Sequence, residues 1–329
     1  MIQFNSILKD ELSHFIALRK ISKSNSTYCH DKYILRGFDE YLCSISCTNK
    51  ALTEKQVTGW VHSLTGKTSS IANQVIVIRI FLIQLRSYEI YSYIPPIPKV
   101  NDDYIPYIFS EEELATIFYH ADHLLTNNSD SQKSKLLQVG LPMILRLMYG
   151  CGLRIGEALS LKMENVDFAT GVLTIKNAKG DKQRFVPMHH NLTKILQSYC
   201  LALGIICFPS SYLFPTNFYS QPVTHSRVRH IFNHVLKLAE IYQPNRGKYQ
   251  RGSCLHCLRH VFVFKSFANA EKDGRKIDNS VPYLSLYLGH KRLRETEKYL
   301  KFSSELFPEA LQLFEDYASE VFPEVNYNE

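Results

Sequence analysis

Apolar residues recur at three- and four-residue intervals through the first third of the chain: Ile7, Leu8, Leu12, Phe15 and Ile16, then Ile34, Leu35, Phe38 and Leu42, then the dense run from Val75 to Leu85. The period is helical and no two-residue alternation competes with it, so residues 1–94 predict a small domain of helices. The stretch Ile94-Pro-Pro-Ile-Pro-Lys-Val-Asn-Asp-Asp103 then sets three prolines among polar residues, which disfavours helix and predicts an extended linker over 95–105. Beyond it, Ser110 and Glu113 have the spacing of a capping box, and an apolar helix from Leu141 to Met148 runs into Gly150 and Gly152. From Val166 the pattern changes. Val172-Leu-Thr-Ile175 and Arg184-Phe-Val-Pro187 read as short strands, joined by the polar turn Lys176-Asn-Ala-Lys-Gly-Asp-Lys182. Helical spacing resumes near residue 224 and continues, past a basic loop from Arg246 to Arg251, to the end. The predicted fold is mainly α with a small β-hairpin, an α+β arrangement with a helical domain (1–94), a linker (95–105) and a larger domain (106–329).

Composition narrows the class. Hydrophobic residues make up 45% and charged residues 21% of the 329 positions, with 14 Gly and 13 Pro, which excludes a disordered or low-complexity chain. The Val75–Leu85 run is broken by Arg79 and Gln84 and falls short of the roughly 18 apolar residues a membrane span needs, so no span is expected. The N-terminus places Asp10 and Glu11 where a secretion signal needs a basic start and an apolar run, which points to a cytoplasmic protein whose eight cysteines stay reduced. Cys254 with Cys257, and Cys43 with Cys47, have ligand-like spacing. No second Cys-x-x-Cys exists, so packed thiols are the plain reading, and a zinc module built from Cys254, Cys257 and His260 is the alternative.

The net charge is +7, but from Phe302 onward there are seven acidic residues and no Lys or Arg, so the preceding part is twice as positive as the whole. A basic body suits a polyanion, because neutralised phosphates release counterions. Within the acidic tail, Phe307, Ala310, Leu311, Phe314, Tyr317, Ala318 and Val321 lie at helical spacing and predict an amphipathic helix.

Four short stretches carry residues suited to chemistry. In Tyr149-Gly-Cys-Gly-Leu-Arg154-Ile-Gly-Glu157-Ala-Leu-Ser-Leu161, glycines close one helix, and Arg154 and Glu157 are expected on one face of the next; alone, they read equally as a surface ion pair. The hairpin tip presents Lys179, a long cation that can swing into a site or stand solvated. His256-Cys-Leu-Arg259-His260 sets His256 and Arg259 three apart on a helix; metal ligation by His256 and His260 competes but lacks a third ligand in the motif. Leu288-Gly-His290 is followed by a basic run and then Tyr299.

Taken together and in order, these stretches resemble the tyrosine recombinase (phage integrase) family, which carries an arginine in "GLR-x-x-E-x-L", a hairpin lysine in "KG-x-K-x-R-x-VP", an "H-x-L-R-H" box, and "LGH" followed nine residues later by tyrosine. The likeness covers about residues 106–302, and Ser70–Arg79 with the proline linker resembles the end of that family's N-terminal core-binding domain. It implies a helical core-binding domain followed by a catalytic domain. It also implies a site-specific DNA recombinase that cleaves and rejoins strands through a 3′-phosphotyrosine, with no metal, other cofactor or ATP. Position by position it implies that Arg154 and Arg259 clamp the scissile phosphate, Lys179 is the general acid, His256 and His290 assist, Tyr299 attacks, and Glu157 supports the pocket. Guanidinium forks match phosphate oxygens and stay ionised, and a lysine can protonate a basic leaving oxygen.

The implied partners are double-stranded DNA with specific recombination sites, a homo-tetramer joined through the C-terminal helix, and accessory DNA-bending proteins; no membrane is involved. The other reading of that helix is packing on its own core. Candidate DNA contacts are Lys67, Ser70 and Arg79 in the first domain and Arg227, Arg229 and Lys248 in the second. Competing functions are a regulator that kept the fold and lost catalysis, and a type IB topoisomerase or telomere resolvase using the same residue types.

Overall fold

The computed structural model describes residues 3–100, 106–124, 132–176, 183–216, 221–242, 252–290, 292–297 and 299, with the backbone alone at 132–134 and 277–278. The fold is mainly helical with a small antiparallel sheet, as the sequence predicts. The chain divides into two compact units, Met1–Tyr104 and Ile105–Glu329. Residues 95–100, read above as linker, therefore count with the first unit, where Arg79 Nη1 donates to the Pro95 carbonyl.

The first unit is built from α1 (Lys9–Ser22), α2 (Asn25–Ser44), α3 (Glu54–Ser63) and α4 (Thr68–Gln84), the last extended by a 3-10 turn, Leu85–Tyr88. The apolar positions read from the sequence meet in its core: Leu12 and Phe15 from α1, Ile34, Leu35, Phe38 and Leu42 from α2, and Val75, Ile78, Phe81 and Leu82 from α4. Phe38 stands edge-on to Trp60 at 5.1 Å and to Phe81 at 6.4 Å. Helix α3, which supplies Val57 and Trp60, was not read from the sequence, although Thr53 and Gln56 form a complete capping box at its start.

The expectation that nothing reaches spanning length needs correction. The helix starts at Thr68, ahead of the apolar run, and with its 3-10 extension gives 21 residues, Thr68–Tyr88, that are long and apolar enough to cross a membrane by length and composition alone. Its buried residues Ala72, Val75, Val77, Ile78, Phe81 and Leu82 face the interior of the first unit.

The second unit begins with α5 (Glu111–Asp122), opened by the Ser110–Glu113 capping box, and α6 (Gln132–Cys151). Next come α7 (Ile155–Ser160) and a sheet of β1 (Val166–Asp167), β2 (Val172–Lys176) and β3 (Gln183–Pro187) in sequential antiparallel order. Then follow α8 (His190–Ala202), α9 (His225–Leu238), α10 (Leu255–Lys272), α11 (Ile277–Leu288) and α12 (Arg294–Glu297). Strand β1 and helix α8 were not read from the sequence, where helical spacing was resumed only near residue 224. In the β2–β3 ladder Leu173 pairs with Val186 and Ile175 with Arg184. Alternation puts residues 184 and 186 on one face, so an arginine takes an inward position while Phe185 points out. Helix α10 packs against α6 and α11 and is buried around most of its circumference, from Leu255, Leu258 and Val261 to His260, Val263 and Phe267, with His256 left exposed.

Candidate active site

Two glycines allow the close approaches that form the site. Gly152 follows α6 in the left-handed region, at φ +59°, and a Cβ there would lie 2.5 Å from the Phe262 ring. Its carbonyl accepts Nη1 of Arg259, the largest fully buried side chain among the described residues. Gly289 caps α11 at φ +64°, where a Cβ would crowd the Arg184 guanidinium at 3.1 Å.

The C-terminus of α11 is the point on which three arginines converge. Its last carbonyls have no partner inside the helix and carry the negative end of the dipole. Tyr287 O accepts Arg184 Nε at 2.9 Å, and Leu288 O accepts both Arg154 Nη1 at 3.2 Å and Arg259 Nη2 at 3.0 Å. Glu157 is the anion among them. Arg184 grips its carboxylate with both Nη atoms, at 3.0 and 2.8 Å, Arg154 Nη1 donates to it at 3.0 Å, and Arg259 Nη1 stands 3.9 Å away. Burial pushes the Glu157 carboxyl up, but the hydrogen bonds from Arg184 and the Arg154 backbone, with the two guanidinium charges, outweigh it and hold the group at about 2. Burial and the Arg154 charge bring Arg259 down to about 10, so it stays protonated at neutral pH.

Arg154 does not share a helix face with Glu157. It is the N-cap of α7, and its backbone N–H donates to Glu157 Oε2 at 2.9 Å. The surface ion-pair reading fails as well, because the Glu157 side chain is only 10% exposed while that of Arg154 is 37% exposed. Arg154 is thus the most open of the three arginines.

His290, just past Gly289, faces the same cluster: Nε2 lies 3.0 Å from Arg259 Nη2 and Nδ1 lies 2.7 Å from the buried Thr296 hydroxyl. A guanidinium can only donate, so Nε2 accepts and the ring proton sits on Nδ1, directed at Thr296 Oγ1. Burial and then the charges of Arg259, Arg154 and Arg184 push this imidazole down to about 3, so it is neutral at pH 7. Tyr299 is 7% exposed; its hydroxyl lies 3.0 Å from Nδ1 of His260, and its ring meets Phe264 edge-on at 5.7 Å. His256, on the exposed side of α10, stacks edge-on with His260 at 4.7 Å.

Three arginines around one carboxylate, a buried helix end and a tyrosine against α10 make a site with two positive charges in excess, suited to an anion. The phage integrase family model matches residues 109–305, which spans every one of these groups. The chain belongs to the phage integrase family. It is 31% identical over 213 residues to the "Putative integrase/recombinase y4rB" of Sinorhizobium fredii, covering 64% of this chain and 66% of that one. It is 28% identical over 211 residues to tyrosine recombinase XerC of Staphylococcus carnosus, covering 62% and 60%. The matches thus span slightly less than two thirds of these relatives' length. The fold is that of the XerH site-specific recombinase in a post-cleavage complex with its difH substrate, with a TM-score of 0.65 and 18% identity over 86% of this chain and 78% of that one.

In this phage integrase family member, the structure brings Arg154, Glu157, Arg259, His290 and Tyr299 together around α10 and the end of α11. Lys179 and Lys248, with the acidic segment 307–321, lie outside the described residues. Lys67 and Ser70 are exposed at the start of α4, Arg79 is half-buried, and on α9 Arg227 is half-buried and Arg229 exposed. Cys254, Cys257 and His260, the residues of the zinc reading, do not come together as a metal-holding group, and no such group of three His, Cys, Asp or Glu occurs among the described residues. Two residues of the site were missed as such: His260, weighed only as a metal ligand, and Arg184. The inward strand position of Arg184 was the available signal, because a charged residue on the apolar face of a hairpin requires a buried partner.

Proposed function

We propose that the protein is a site-specific DNA recombinase that cuts and rejoins strands through a 3′-phosphotyrosine. The observation that carries the reading is the cluster of Arg154, Arg184 and Arg259 around a single carboxylate, with Tyr299 held against the residue next to Arg259. A phosphodiester anion entering beside the open Arg154 meets donors already positioned by Glu157 and Leu288 O, and such preorganised donors gain most as charge builds on the phosphoryl oxygens. The Tyr299 oxygen attacks phosphorus, the P–O5′ bond breaks, and Lys179 protonates the leaving 5′ oxygen. Neutral His290 orients Arg259, His256 assists at the exposed edge, and the tyrosine proton passes toward His260 Nδ1 when that nitrogen is unprotonated. The ester energy is kept in the Tyr–O–P bond, so a 5′ hydroxyl of another strand reverses the step without ATP or metal.

The partners that fit this chemistry are duplex DNA carrying specific sites, further copies of the chain in a tetramer joined through the 307–321 segment, and accessory DNA-bending proteins, in the cytoplasm. Lys67, Ser70, Arg79, Arg227, Arg229 and Lys248 are the proposed DNA contacts. The deciding experiment mixes wild type and Tyr299→Phe with nicked duplexes drawn from DNA flanking the gene and looks for a denaturant-resistant protein–DNA band. The expected result is a band with wild type alone and equal DNA binding by both proteins. Binding without any band from wild type would instead favour a regulator that has lost catalysis, and relaxation of supercoiled DNA lacking specific sites would favour a topoisomerase.

A further inference from the structure

Cys254 and Cys257 take no part in the chemistry above, yet their placement is specific. Cys254 is the extended N-cap of α10 and Cys257 its third residue, so both side chains emerge at the head of the helix that carries His256 and Arg259. Their sulfurs are 3.4 Å apart, and the Cys254 backbone N–H donates to Cys257 Sγ at 3.3 Å. Cys254 is exposed whereas Cys257 is 1% exposed. The other pair with short spacing differs: Cys47 Sγ is engaged by Asn49 O and Gln56 Nε2, both at 3.4 Å.

We propose that Cys254 and Cys257 form a reversible oxidation site, a dithiol that low-molecular-weight disulfides close to a disulfide, and that closure disarms the head of α10. The second half rests on the reading of α10 as the phosphate-binding helix. The exposed Cys254 thiolate attacks a small disulfide RSSR, forming a mixed disulfide and releasing one RS⁻, which takes up a proton. Cys257 then loses its proton and attacks the Cys254 sulfur, expelling the second thiol, so that one dithiol and one RSSR give one protein disulfide and two RSH. The order of attack follows from access, and from the hydrogen bond of Cys254 and then burial, which both push the Cys257 thiol up. Forming the S–S bond draws the sulfurs about 1.3 Å closer and so shifts the first turn of α10, next to His256. Displacements of about 1 Å near reacting groups can cost about a hundredfold in rate.

The test uses the full chain in graded mixtures of reduced and oxidised glutathione, with peptide mass mapping after alkylation and the nicked-duplex cleavage assay in parallel. The expected results are a Cys254–Cys257 disulfide, a fall in cleavage of about tenfold or more with DNA binding kept, and recovery on reduction. Cys254→Ser, which keeps a good N-cap, should cleave normally and ignore the oxidant, and Cys257→Ala should accumulate glutathione on Cys254. Absence of the disulfide while other cysteines are oxidised would overturn the site, and unchanged cleavage by the mapped disulfide form would overturn the switch. A disulfide that forms in a protein cleaving no DNA in either redox state would uphold the oxidation site and overturn the recombinase reading of α10.

Discussion

Both units bury carboxylates, and they do so on opposite terms. In the first unit Asp39 accepts the backbone N–H groups of Asn5 and Ser6, both at 2.9 Å, and Asp31 takes Arg19 Nε at 2.6 Å. Each anion there is matched locally, and the contacts tie the chain's start and α1 to α2. In the second unit a single carboxylate, Glu157, faces three guanidiniums that also draw on the carbonyls of another helix. Matched burial secures shape, whereas a surplus of buried cation is expensive and persists where an anion is to be bound. The contrast separates carboxylates that secure packing from one that organises a cationic site, without reference to any sequence motif.

The largest expected effect breaks the surplus itself. Arg259→Met, similar in length and without charge, should lower single-turnover cleavage by about a hundredfold or more while DNA binding persists; a drop of less than tenfold in the nicked-duplex assay would remove Arg259 from the phosphate site. Next is the anion that holds the cluster. Glu157→Gln leaves the buried guanidiniums uncompensated and should cost about 3–5 kcal/mol in urea unfolding.

The pH dependence has a definite sign. The Glu157 carboxyl lies near 2 in the folded protein against 4.5 in the unfolded chain, so its contribution is complete above pH 4.5 and is lost as pH falls toward 2. His290 adds to the loss at higher pH: held near 3 against 6.5, it takes up a proton more readily in the unfolded chain, which weakens folding from pH 6.5 downward. His290→Asn should therefore show a flatter fall in the urea midpoint between pH 7 and pH 4 than wild type. The smallest effect sharpens the contrast from the other side. Asp39→Asn should cost about 1–2 kcal/mol of stability and leave the cleavage rate on saturating DNA unchanged.

How much could be read from the sequence differs in the same way between the units. Helices α1, α2 and α4 have one core-facing side or a dense apolar run, so the spacing of Leu12, Phe15, Ile34, Phe38 and Val75 announced them. Helix α10 is buried around most of its circumference, with His256 among its few exposed residues, so it falls within the stretch of helical spacing without a polar face of its own, and the His256–His260 motif is what marks it. Helix α8 carries buried Thr193, Leu196 and Cys200 at helical spacing, a signal that falls between the hairpin and the helical stretch from residue 224 and that is not picked out from the sequence above. The site was legible as residue types in order. What one dimension could not convey was that Arg154 caps α7 instead of lying along it, that Arg184 points inward, and that the partner of all three arginines is a helix end, since carbonyl acceptors leave no trace in the choice of side chain.

The shared carbonyl of Leu288 sets a limit on how the gene can change length. Adding or removing one residue within α11 turns its end by about 100° and shifts it by about 1.5 Å, which would release Arg154 and Arg259 together and swing His290 away from Thr296. The turn ahead of the helix can take insertions that the helix and the segment on to Tyr299 cannot, because the His290–Thr296 and Tyr299–His260 contacts fix the spacing after it. Descendants of this chain should therefore vary in the length of that turn and keep a constant residue count from Ile277 to Tyr299.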